Sequence, residues 1–176
     1  MVRDFDDAER YYKRAKEGYE EQLGRDSEKA LKVTIGLIMS TGMSRDEGIE
    51  KLRVLLKRCE RALGEENVVT LETLNTLGCE LDDNGEYEEA KEVYERCLAE
   101  RTKTSGENHK DTLDSLNNLG IVYYKLKNYE KAMEYYERAL EGYEKTLGKT
   151  HPSAIMTVEG IAILCKKTKD FGKAEE

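Results

Sequence analysis

The feature that most constrains this chain is that it repeats itself. Tyr87 and Tyr129 stand 42 residues apart, each followed three residues later by an alanine, Ala90 and Ala132, and Phe171 with Ala174 continues the interval. The same spacing links Arg96 to Arg138, Leu98 to Leu140, His109 to His151, and Gly64 to Gly106 to Gly148. One fixed period of this length means stacked units whose core is a thin seam between neighbours.

Each period holds two helices. From Lys110 to Lys125 apolar residues recur at threes and fours (Leu113, Leu116, Leu119, Val122, Tyr123), and from Tyr129 to Leu147 so do Ala132, Tyr136, Ala139, Leu140 and Tyr143. We call these helix A and helix B. Leu-Gly closes helix B at Leu23-Gly24, Leu63-Gly64 and Leu147-Gly148, because glycine supplies the left-handed residue that ends a helix. The reading is B 4–23, A 27–42, B 45–63, A 68–83, B 87–104, A 110–126, B 129–147 and A 152–168, then a stub. This is one array over residues 1–176, of about four repeats, opening on a helix B and ending in a truncated helix B. It is expected to be a piece of a longer array. One copy is irregular: Leu23 to Leu63 is 40 residues, which places a two-residue deletion near Thr41-Gly42-Met43, the join expected to pack least tightly. Ser44-Arg45-Asp46-Glu47 after it reads as a capping box.

Composition supports helices. A single proline and 38% charged residues favour long, solvated α-helices. The net charge of −8 opposes nucleic acid or an anionic membrane as partner, since both need a basic footprint. No stretch approaches the roughly 20 apolar residues of a membrane span, and the N-terminus is acidic where a signal peptide would be basic. A soluble, cytoplasmic chain is expected. The four cysteines, Cys59, Cys79, Cys97 and Cys165, form no CxxC pair and read as reduced packing thiols.

Asn117-Asn118-Leu119-Gly120, Tyr129-Glu130-Lys131-Ala132, Tyr136-Glu137-Arg138-Ala139-Leu140 and Leu147-Gly148 with His151-Pro152 together resemble the tetratricopeptide repeat. More narrowly, they resemble the 42-residue variety found in kinesin light chains and in the repeat tails of fungal and protist NACHT-type or NB-ARC-type signalling proteins. The resemblance covers essentially the whole chain and implies an all-α, right-handed α-solenoid of antiparallel helix pairs, with A helices lining a concave groove that holds partner segments. Aligned on Leu77, Leu119 and Ile161, the groove-facing residues would be Asn75, Cys79 and Asp82 in the second copy, Asp114, Asn117, Ile121, Tyr124 and Lys125 in the third, and Met156, Glu159, Ile163 and Lys166 in the fourth. Asn118 sits at a position that contacts ligand in some relatives. The groove is expected to be acidic toward the second copy, with Glu72 contributing, and basic toward the fourth, with an asparagine amide able to pair with an extended backbone of any sequence.

The bland readings stand beside these. Asn75 and Asn117 would equally serve by bonding a neighbouring helix. Tyr11, Tyr12, Tyr19, Tyr94, Tyr135, Tyr136 and Tyr143 lie on B helices, where rings fill space between repeats. His109 and His151 occupy the same loop place in successive repeats and read as capping residues. No phosphate loop, GxSxG or HExxH occurs. No enzyme activity, cofactor or metal is therefore expected. The function read from the sequence is a scaffold binding a protein or peptide in its groove. The alternative is a structural module that stacks head-to-tail into a homo-oligomer through complementary terminal helices.

Overall fold

The structure, a computed structural model, describes residues 2–172, with side chains for residues 7–169. Eight helices and no strand occur among the described residues: α1 (Val2–Leu23), α2 (Glu28–Ser40), α3 (Arg45–Leu63), α4 (Val68–Asn84), α5 (Tyr87–Ser105), α6 (Lys110–Lys125), α7 (Tyr129–Thr146) and α8 (Pro152–Gly172). The all-α class expected from the sequence holds. The expected final helix B, which rests on Phe171 and Ala174, lies outside the described side chains, and α8 itself runs unbroken to Gly172.

The punctuation works as the sequence implies. Gly24, Gly64, Gly106 and Gly148 all have φ near +90°, where a side chain would be strained. Ser44 accepts from the Glu47 amide (3.4 Å) to start α3, while the Glu47 carboxylate turns outward to Lys51 (2.8 Å), so only half of the capping box forms. His109 and His151 cap α6 and α8, each Nδ1 accepting an amide, from Asp111 (3.3 Å) and Ser153 (3.2 Å). After α6 the chain turns through Lys127 at φ 62, where the preceding repeat places Gly85.

The helices form two compact units, residues 1–86 and 87–176. In the first unit, α2 packs against α1, α3 and α4. Its core is aliphatic: Leu31, Leu52, Val69, Leu74 and Leu81 are fully buried. The Cys59 thiol meets the Thr73 hydroxyl (3.7 Å), and Thr70 donates to the Gly64 carbonyl (2.7 Å).

In the second unit α6 is central, packing against α5, α7 and α8. Here the core is aromatic. The Tyr136 ring is buried between helices that approach closely because two residues lack side chains: a β-carbon at Gly120 would stand 2.6 Å from the ring and one at Gly160 3.1 Å from it. One period on from Cys59 the chain places Arg101, 7% exposed, which donates to the Asp111 carbonyl (2.8 Å) and to Ser115 (2.7 Å). One period further, Tyr143 is fully buried and donates to Asp114 (2.6 Å). One repeat position thus carries three different polar solutions: Cys59 and Arg101 meet the following helix A, Tyr143 the preceding one.

Candidate functional site

The residues expected to line a groove divide between the units. Asn75, Cys79 and Asp82 lie half-buried on α4 of the first unit, and the others lie on α6 and α8 of the second. On α4, the Asn75 amide donates to the Cys79 sulfur at 3.9 Å, one helical turn away. The acidity expected there is offset from a neighbour the sequence does not announce: Lys32 of α2 reaches Glu72 (2.8 Å), while Arg45 of α3 meets Glu80 (3.5 Å) and Asp83 (3.0 Å). These bridges join residues 35 to 40 positions apart, so only packing reveals them.

On α6, Asp114 is tied into the repeat. Its Oδ1 accepts from Tyr143 and its Oδ2 from Lys110, both at 2.6 Å. Asn117 accepts at Oδ1 from the Thr157 hydroxyl of α8 (2.9 Å), so its oxygen serves the helix-bonding reading. That bond orients the amide beside α8. Asn118, Ile121, Tyr124 and Lys125 are half-buried; Tyr124 tilts against Tyr129 (5.8 Å between centroids) and Lys125 lies over the Tyr87 ring (5.3 Å). On α8, Glu159 and Lys166 are exposed, and so are two apolar chains, Met156 at 63% and Ile163 at 57%. Met156 and Ile163 stand one period after Asp114 and Ile121.

The tyrosine expectation is met in part. Tyr94, Tyr136 and Tyr143 are buried, Tyr135 and Tyr19 half-buried. Tyr11 and Tyr12 are instead exposed, 61% and 39%. The Tyr11 ring is flanked by its own neighbour Arg10 (5.1 Å), while one edge of Tyr12 meets α2 at Gly36. All four cysteines are free thiols; Cys59 and Cys97 are buried, and burial pushes the Cys59 thiol up despite the Thr73 hydroxyl. Burial, then the bonds to Glu95 and Asp114, likewise pushes Tyr123 and Tyr143 well above the usual phenol range. No group of three or more His, Cys, Asp or Glu residues placed to hold a metal occurs among the described residues, nor a helix long and apolar enough to cross a membrane.

The profile of the tetratricopeptide repeat matches residues 80–145 and again 111–176, together more than half of the chain. The chain belongs to the tetratricopeptide repeat family. In fold it is of the kinesin-light-chain type. The nearly identical TPR-like repeats of a kinesin light chain assigned in Podosopora anserina align with a TM-score of 0.76 at 21% identity, covering 97% of this chain and 82% of that one. A point variant of those repeats gives the same TM-score and coverage at 22% identity. BtubC (BKLC) from P. vanneervenii aligns with a TM-score of 0.77 at 19% identity, covering 97% and 69%. No curated protein matches in sequence. Tetratricopeptide repeats serve generally as protein-interaction scaffolds, and that general role follows for this chain.

Proposed function

We propose that the A-helix face of the second unit, formed by α6 and α8, binds a short segment of a partner protein. The observation that carries this reading is the exposure of Met156 and Ile163 on α8, the helix whose Thr157 hydroxyl holds Asn117. Two apolar chains left in water on that helix and an oriented amide on α6 offer an anchor for an apolar side chain and a donor for an extended backbone. Tyr124, Lys125, Glu159 and Lys166 border that surface with both signs of charge, so it suits a segment carrying an acidic and a basic residue around its anchor. In the first unit Asn75, Cys79 and Asp82 would serve the same role on α4, where the Lys32–Glu72 bridge must open for a charged ligand to enter.

A proteome-scale peptide display screen against the purified chain tests this, run in parallel on an Asn117→Ala/Ile163→Glu variant. The expected result is an enriched motif with one apolar residue that the variant no longer captures. A motif captured equally by the variant would overturn the assignment to the α6–α8 face.

A further inference from the structure

The first unit has a cavity that the second fills with its own side chains. A half-open cleft of about 380 Å³ lies between α1, α2 and α3, lined by Leu37, Ile38, Met43 and Leu55 and by the cations Lys13, Lys16, Lys51 and Arg58. Aligned on Gly24 and Gly106 for the first two helices and on Arg45 and Tyr129 for the third, Lys13 corresponds to Glu95, Lys16 to Leu98, Thr34 to Leu116, Thr41 to Tyr123 and Lys51 to Tyr135. In the second unit those residues close the cleft. Tyr123 stacks on Tyr135 (5.3 Å, 9° between planes), its hydroxyl donates to Glu95 (2.6 Å), and Leu98 and Tyr135 pack on a cluster that includes Leu116.

The cause is the two-residue deletion. α2 has 13 residues against 16 in α6, so the helix stops before the position that supplies the Tyr123 ring, and Thr41 takes its place as the C-cap. The polarity is inverted as well. Where the second unit sets a carboxylate to accept from the phenol, the first sets the ammonium of Lys13, with Lys51 replacing the stacked Tyr135. The missing piece is therefore a flat apolar ring whose polar end accepts hydrogen bonds and carries negative charge.

We infer that the α1–α2–α3 cleft of the first unit is a binding site for a small aromatic carboxylate. Its volume falls within the range of small-molecule sites, roughly 300–1,000 Å³. Four cations line it against one carboxylate, Glu9, in a chain of net charge −8. Those cations already hold surface carboxylates: Lys13 pairs with Glu9 (2.5 Å), Lys16 with Glu20 (3.6 Å), Lys51 with Glu47 (2.8 Å) and Arg58 with Asp26 (2.9 Å). Lys13 and Lys51 are exposed, and such water-facing pairs contribute little and exchange readily for a ligand held over an apolar floor. Lys16 and Arg58 are half-buried, and Arg58 is held further by the Arg25 carbonyl (2.7 Å). The face of α2 involved, Thr34, Leu37, Ile38 and Thr41, differs from that of Lys32, which faces α4. The site is thus independent of the A-helix surface proposed above.

The test is a titration of the isotope-labelled chain with naphthalene-2-carboxylate, read by methyl NMR. Shifts confined to Ile38, Met43, Val54 and Leu55, with naphthalene-2-methanol binding about tenfold more weakly, are expected. A Lys13→Ala/Lys51→Ala variant, altered only at exposed side chains, should weaken the acid by about tenfold or more while leaving the alcohol unchanged. A Lys13→Glu/Thr41→Tyr/Lys51→Tyr variant, which rebuilds the filling of the second unit, should bind neither. Equal binding of acid and alcohol, shifts scattered through both units, undiminished binding by the Lys13→Ala/Lys51→Ala variant, or capture of an acidic peptide in preference to the acid would overturn the assignment.

Discussion

The two units use one helix plan with opposite interiors. In the second, the space over α6 is closed by the Tyr123–Tyr135 stack and by buried polar bonds from Arg101 and Tyr143. In the first, the space over the shorter α2 stays open, and the places of Arg101 and Tyr143 are held by Tyr19 and by Cys59, whose thiol meets Thr73 of α4. A deletion of two residues at the end of α2 and the exchange of Glu95 and Tyr135 for Lys13 and Lys51 separate them: α2 and α6 start at matching places after Gly24 and Gly106, but α2 has 13 residues against 16. The lesson is that a repeat array can tolerate a lost turn at one join, since each repeat is stabilised by its neighbours, and the lost turn leaves a cavity that natural side chains elsewhere in the same chain show how to fill.

The sharpest way to break the comparison is to empty the filled cleft. Tyr123→Ala removes a buried ring and leaves Glu95 without its phenol, and should destabilise the second unit by about 3–5 kcal/mol in urea unfolding. Thr41→Ala, at the corresponding place in the first unit, faces a cavity already present and should change stability far less. A comparable loss from both would mean that the two clefts do not differ energetically.

A smaller effect separates the units by pH. The Cys59 thiol is raised by burial, so its stabilising contribution is complete below its ordinary value near 9 and declines as pH rises past it. Tyr123 and Tyr143 are raised by burial and by their carboxylate acceptors, so theirs is complete below about pH 10 and declines above. Alkali should therefore weaken the first unit from about pH 9 through the Cys59 thiol, and the phenols of the second add a decline above about pH 10. Cys59→Ala should flatten the earlier decline and leave the later one intact in pH-dependent unfolding; an unchanged early decline would contradict the assignment.

Much of this was legible before packing was known. The bounds of α3 agree with the reading of residues 45 to 63, because Ser44 and Gly64 are local signals, and α4 to α7 differ from the sequence reading by one residue at their ends. The loose join at Thr41-Gly42-Met43 was visible as a change of period, and Thr41 and Met43 do line the cavity. Its chemistry was not visible, since Lys13, Thr34 and Lys51 come together only when three helices pack. The burial of Arg101 was not legible either, because the Asp111 carbonyl and Ser115 that permit it lie on the next helix. Among the groove candidates, Asp114 turned out to be committed to Lys110 and Tyr143, and Met156 and Ile163 stand out only through their exposure.

The most direct measurement is native-state hydrogen exchange resolved helix by helix on the unmodified chain. The account predicts that amides of α1, α2 and α3, around the open cleft, open at distinctly lower free energy than those of α5, α6 and α7 around the filled one. Equal protection of the two sets, or greater protection of α1 to α3, would contradict it.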